Sequence, residues 1–297
     1  MRYIFAILLF ALCLATPTGL SAAEKIWDVA EQKYISEKSL MDRLGQSRHI
    51  LLGVQTDNKH HHELAAKIIE TLDKAGRNPV ILLGNVERSK QNAFAIFTQR
   101  HQNSPQVYDA TGLDMLLGWA DSGAGHWSVV KPLFDMAMLR KLPLIASGLS
   151  RYELGEIYRD GPKGLPQDMT STLRPLLTTP LPKQTAIQMT KDINREYCGT
   201  LPPNVVEKFI AASRAQNGLI ALNMAATNPK TAVLVASSKH IIRDTGVPRI
   251  LNELMGKSKI ITLLFGEKGQ DIPSGQVDYI WYSAAIPHAD PCGFLNP

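Results

Sequence analysis

The chain has 297 residues, 44% hydrophobic and 20% charged, with a formal net charge of +5. That is enough to bury one substantial core. Its cations, among them Lys59, Lys90, Arg100, Arg151, Arg159, Lys163 and Arg174, are interspersed with acids and form no long basic run; this argues against nucleic acid as a partner and leaves a surface able to receive an anionic ligand.

Arg2, the apolar run Tyr3 to Leu14, Pro17-Thr18-Gly19 and Ser21-Ala22-Ala23 have the charged, apolar and small-residue order of a secretory signal over residues 1–23. Cleavage after Ala23 predicts release into the periplasm of a Gram-negative bacterium. The alternative is an outer-membrane lipoprotein anchored through Cys13, against which stands Leu12 where a lipidated cysteine expects Gly or Ala. No later stretch is long and apolar enough to span a bilayer.

In the mature part a short helix is predicted over Lys38–Leu44 and a buried strand over His49–Gly53. His62, Leu64, Ala65, Ile68, Ile69 and Leu72 then recur at helical spacing until Gly76 and Asn78-Pro79. Val80–Leu83 reads as a second strand, followed by helical turns carrying Val86, Phe94 and Phe97. Amphipathic helices are predicted over Leu113–Trp119 and Val129–Arg140, and a strand over Leu142–Ala146. The Pro- and Gly-rich stretch Gly161–Pro182 predicts loop with short turns at most. A long helix follows over Asn204–Asn223, then a strand over Ala232–Ala236, a helix over Val247–Met255 and a last strand over Lys259–Leu264. Strands alternating with helices predict an α/β fold with a mostly parallel sheet flanked by helices and an inserted helical cap. The expected layout is a single domain over 24–297, mainly helical over roughly 113–225.

The strand ends are where such a fold keeps its chemistry. Here they carry Gln55, Thr56, Asn85, Ser237 and Ser238, which hydrogen-bond well but hold divalent ions weakly. Glu87 is a lone carboxylate, readable as a ligand or as a charge at a helix N-terminus. His60, His61 and His62 point about 100° apart along a helix and present no tridentate face; they read as a solvated first turn capped by Asp57 or Asn58, with His62 the member facing inward. Ser237 or Ser238 with His240 lacks a nucleophile elbow, so His240 reads as a ligand or an orienting group. Gly53 heads no phosphate-binding loop. Tyr152 and Tyr158, flanked by Arg151 and Arg159, follow a predicted strand; a phenolate ligates ferric haem and arginines meet its propionates, although a tyrosine alone is more often packing or interface. Once Cys13 is removed, Cys198 and Cys292 remain to form one disulfide in an oxidising compartment, the alternative being two unrelated thiols.

Several islands resemble the ChaN-like haem-binding uptake family within the broader Tiki, TraB and EreA group. They are Leu51-Leu52-Gly53 with Asp57-Asn58 and His61-His62; Trp127 with Pro132-Leu133 and Leu142-Pro143; Cys198-Gly199 with Leu201-Pro202; Gln216 with Met224-Ala225; His240 with Gly246-Val247-Pro248-Arg249; and Asp278-Tyr279-Ile280-Trp281 with Asp290-Pro291-Cys292. The resembled family commonly carries Gly-Glu-x-His-Asp-Asn after its first strand, and here Val54 and Thr56 stand at the acid and imidazole positions. Its Glu-Met-Phe element is replaced around Asn85-Val86, and its acid after Gln216 by Ile220 or Ala221. The resemblance implies an exported accessory of iron or haem acquisition that holds exchangeable ferric haem without turnover. Its implied partners are a second copy in a homodimer and an envelope haem-uptake machinery. The resemblance implies a tyrosine ligand, and with the residue reading the expected haem-site residues are Tyr152, Tyr158, His240, Arg151 and Arg159; no catalytic or metal residue is expected. The alternatives are a metal-dependent hydrolase of the broader group, with Thr56, Glu87 and His240 clustered, and a noncatalytic envelope scaffold.

Overall fold

The computed structural model describes residues 24–101, 108–227, 230–256, 259–270, 275–288, 290, 292 and 293. The predicted secretory leader over residues 1–23, with Cys13, lies outside the described residues. Eight strands form one sheet in the order β2-β1-β8-β7-β3-β6-β4-β5. They are β1 (Lys25–Asp28), β2 (Lys33–Ile35), β3 (His49–Val54), β4 (Val80–Glu87), β5 (Leu144–Gly148), β6 (Ala232–Ser237), β7 (Ile260–Glu267) and β8 (Tyr279–Ser283). The six strands from β8 to β5 run parallel, while β1 pairs antiparallel with both β8 and β2. All six residues of β3 are buried, as expected of a central parallel strand covered on both faces.

Alternation along the strands divides the core. Ile50, Leu52, Val54, Leu83 and Val235 face α1 (Glu37–Leu44), α2 (Lys59–Lys74), α3 (Gln91–His101), α4 (Leu113–Leu117) and α5 (Trp127–Leu139). On that side Phe134 packs against Trp127 and Trp119, with ring centroids 4.8 and 5.9 Å apart. Leu51, Leu82, Leu234 and Ala236 face the opposite way, against α9 (Pro203–Ala226) and α10 (Val247–Met255). Outside α9 lie α6 (Arg151–Asp160), α7 (Gln167–Thr178) and α8 (Lys183–Glu196), which form the helical subdomain. This is the predicted α/β architecture with its helical addition.

The sequence reading is corrected in four places. Val86, expected on a helical turn, is a buried residue of β4, which runs on past Leu83 to Glu87. Gly161–Pro182 is not a loop: after a 3-10 turn at Gly161–Gly164 it forms α7. Met169, Leu173 and Leu177 recur every fourth residue there and share an apolar cluster with Ala212, Ala215 and Leu219 of α9, so packing overrides the helix-breaking composition. The segment ending near Leu264 is not the last strand, because β8 follows it in parallel. At the other end of the chain β1 and β2 extend the sheet.

Cys198 and Cys292 are disulfide-bonded across a sequence separation of 94, which ties the C-terminal tail to the turn between α8 and α9. Cys198 sits at φ 57 and Gly199 at φ 68, so two consecutive left-handed residues make this turn.

Candidate functional site

The C-terminal ends of β3, β6 and β4 meet at one edge of the sheet. β3 runs into Gln55–Asn58, and the Asn58 side chain caps α2 by accepting hydrogen bonds from the His60 and His61 backbone N–H groups at 3.0 and 3.4 Å. The three histidines consequently diverge. His60 is exposed beside Glu24 and Glu63. His61 is fully buried; its Nδ1 accepts from the Gln55 N–H at 3.2 Å, so Nε2 carries the proton and donates to Ser283 Oγ at 3.0 Å. Burial pushes its imidazole down to about 4.

His62 points inward, as expected. With Thr56, Asn85 and Ser237 it forms the polar part of a small cavity of about 10 Å³, closed by Val54, Leu83, Val130 and Phe134. Neither nitrogen of His62 has a hydrogen-bond partner among the described residues, and nor has Ser237 Oγ. Burial pushes His62 down to about 4, and the Thr56 backbone offsets part of this from outside strict hydrogen-bonding geometry. One imidazole among neutral oxygens and an amide is a weak donor set for a divalent ion. Among the described residues no group of three or more His, Cys, Asp or Glu is placed to hold a metal.

Glu87, at the end of β4, works as a structural anion. Its two oxygens accept from the Arg151 backbone N–H and the Ser89 hydroxyl, each at 3.2 Å. This places it at the N-terminus of α6, where Ser150 and Glu153 also complete a reciprocal capping box. Arg88 reinforces the junction by pairing with Glu153 and Asp168. Replacing Ser150 by Ala should cost about 1 kcal/mol, read from the urea midpoint; an unchanged midpoint would show that Glu87 and Glu153 carry the cap without it.

α6 also separates the predicted aromatic candidates. Tyr152 lies in its first turn, directly after Arg151, and is 75% exposed. Tyr158 lies toward the other end, half-buried, with its ring 4.7 Å from Phe209 in a cluster that includes Tyr197. Burial, then Tyr197 and Glu196, pushes the Tyr158 phenol up to about 12, which disfavours a phenolate. Arg159 is exposed and occupied by Glu156 and Asp160.

His240 ends a 3-10 turn after β6 and faces α9, where its Nδ1 meets Asn217 Oδ1 at 2.7 Å. Because Asn217 Nδ2 donates to the Thr245 carbonyl at 3.1 Å, the amide presents its oxygen, and His240 must donate from Nδ1. Nε2 then bears the lone pair. Burial and Lys239 push this imidazole down to about 3, so it stays neutral. The neighbouring Gln216 bridges the Ser147 carbonyl and the Leu149 N–H at 2.9 and 2.7 Å, fixing the approach to α6.

The second concavity, about 150 Å³ and open, is lined by Asn85, Glu87, Lys90, Trp119, Asp121 and Arg151 among others. Of the residues expected to hold a ligand, Arg151 lines it and Tyr152 adjoins it in sequence; Tyr158, Arg159 and His240 do not line it. Thr56 and Glu87 belong to different cavities, and His240 lines neither. Lys90 was visible in sequence only as one scattered cation. Asn217, which orients His240, gave no signal because the pairing spans two distant elements.

Among solved structures, ChaN of Campylobacter jejuni, described for cofacial haem binding, superposes with a TM-score of 0.70 at 18% identity, covering 88% of this chain and 97% of that one. The type III effector HopBA1 gives 0.48 at 9% identity over 90% and 99%, and an erythromycin esterase, EreC, gives 0.40 at 11% over 89% and 84%. No curated protein matches. The first of these likenesses supports the fold, and the two weaker ones carry no argument. Residues 40–251 match the family described as haem-binding uptake, Tiki superfamily, ChaN, and the chain belongs to that family.

Proposed function

We propose that this protein is an exported accessory of iron or haem acquisition that holds exchangeable ferric haem without turnover. The observation that carries this reading is Tyr152, exposed on the first turn of α6 and next in sequence to Arg151, which lines an open groove. A phenolate there sits at the positive end of a helix, and phenolate oxygen is a good ligand for ferric iron. The inner cavity, about 10 Å³, has room for no more than a water-sized group, so an organic ligand would sit at the open groove. A haem on this face would keep one side open. Cover by a second copy in a homodimer follows from that openness and from Met115, 80% exposed two residues before the groove-lining Leu117. Cofacial haem binding is described for the Campylobacter relative and agrees with this arrangement.

The leader assigns the protein to the periplasm, with envelope haem-uptake machinery as its partner. Among the described residues no helix is long and apolar enough to cross a membrane. The hydrolase alternative would need further acids or imidazoles beside His62, and its cavity is lined instead by Thr56, Asn85 and Ser237.

Hemin titration of the mature protein tests the proposal. A saturable Soret change at micromolar protein is expected; Tyr152→Phe should shift the band and weaken binding at least tenfold, while Tyr158→Phe and His240→Ala leave the band in place. No saturable change in the parent protein would refute the haem reading and favour a scaffold, and metal-restored peptidase activity would favour the hydrolase.

A further inference from the structure

β4 leaves β6 at the edge of the sheet that His62 faces. Their ladder runs from Val80 beside Ala232 to Leu83 beside Val235, and β4 then shifts register against β5 between Leu83 and Glu87. β6 continues along β3 as far as the pair Val54 and Ser237. Asn85 and Ser237 therefore stand on strands whose mutual ladder has ended, and both line the cavity of about 10 Å³ that Thr56 and His62 complete.

This wall has more hydrogen-bonding capacity than its own side chains use. His62 is 1% exposed, and neither of its nitrogens nor Ser237 Oγ has a partner among the described residues. A neutral imidazole carries one N–H and one lone pair. The Thr56 backbone favours the proton on His62, as a carbonyl does, so it draws the N–H and leaves the lone pair without a donor. Buried polar groups left without a bond are costly, and cavities that stay dry are apolar.

Size and charge narrow the occupant. About 10 Å³ is close to the space of one water-sized probe, too little for a hydrated ion or an organic group. None of the described residues lining it is Asp, Glu, Lys or Arg, so a bare ion would be buried without a counter-charge. One small neutral molecule that both donates and accepts fits the wall.

We propose that this cavity is a binding site for a single water molecule, which donates to the bare nitrogen of His62, accepts from the Ser237 hydroxyl and gives its second proton to an oxygen of Asn85 or Thr56. Three bonds are the usual complement of a buried water. The water replaces the missing ladder between the ends of β4 and β6 and fixes the His62 tautomer. This goes beyond the haem reading and does not depend on it.

A high-resolution crystal structure of the mature protein and water–protein NOE spectra at pH 7 test it together. One density peak is expected at about 2.7–3.2 Å from a His62 nitrogen and from Ser237 Oγ. The His62 ring protons should show an NOE to a long-lived water, and the unprotonated ring nitrogen should have the 15N shift of a hydrogen-bonded acceptor. Ser237→Ala should weaken or abolish the NOE and lower the folding equilibrium constant about fivefold, read from urea unfolding. A dry cavity in the parent, with neither peak nor NOE, overturns the proposal, as does an anomalous peak showing a metal ion there. An NOE and a urea midpoint unchanged in Ser237→Ala overturn the bridging arrangement. Because the parent alone decides occupancy, a variant that fails to fold leaves the proposal open to refutation.

Discussion

Between pH 6.5 and 4 the protein should lose on the order of 5 kcal/mol of stability, because the unfolded chain takes up protons that His61 and His62 refuse in the folded state. Both imidazoles are essentially without solvent contact and are held near 4 against an ordinary value of 6.5. A depressed value means that their contribution is present in full above 6.5 and is lost as pH falls through about 4. Each shift corresponds to roughly 3 kcal/mol, and adjacent positive charges on one helical turn would repel. A domain typically has a net stability of only about 5–15 kcal/mol, so acid unfolding should begin near pH 4. His240 acts in the same direction.

His288 acts in the opposite sense. Its value is raised by Asp57 and then Glu267, so its contribution is present in full below 6.5 and declines as pH rises through its folded value. It cannot rescue the acid limb. Urea unfolding at pH 7 and pH 4.5 measures the effect, and His62→Leu should roughly halve the difference. Because the His62 nitrogens have no hydrogen-bond partner among the described residues, the substitution should cost little at pH 7. Equal midpoints at the two pH values would sink the argument.

Reduction of Cys198–Cys292 should lower stability by about 2–4 kcal/mol. The enclosed segment contains α9, β6, α10, β7 and β8, so the bond restricts the unfolded form of the whole C-terminal third. The tail has a second, non-covalent attachment, because His288 Nε2 meets Glu267 Oε2 and Nδ1 meets Asp57 Oδ2, both at 2.9 Å. Loss of the disulfide should therefore loosen the tail around Cys292 more than the β8 end. Urea unfolding with and without dithiothreitol, alongside the Cys198→Ser, Cys292→Ser pair, measures this; coincident midpoints would mean that the bond only tethers a tail contributing nothing to the fold.

Much of the frame was legible because burial leaves a local trace. His49–Val54 and Ala232–Ser237 are continuous apolar runs, and Val247–Met255 begins after Gly246 with Pro248 in its first turn, so strand and helix could be read within a few residues. β1 and β2 were not legible: at four and three residues they carry little pattern, and their stability comes from pairing Ile26 with Trp281 and Ile35 across the sheet. α7 was hidden by its prolines until α9 supplied an apolar face.

The site divides in the same way. Residue types alone indicated polar, acid-poor strand ends, an inward His62 and a cysteine pair able to close, because those properties belong to composition and short spacing. Which tyrosine lies open, which nitrogen of His240 is bare, and that Lys90 and Arg151 line one groove were settled only by folding. Such properties arise from contacts between segments far apart in the chain, where no local periodicity records which side chains will meet.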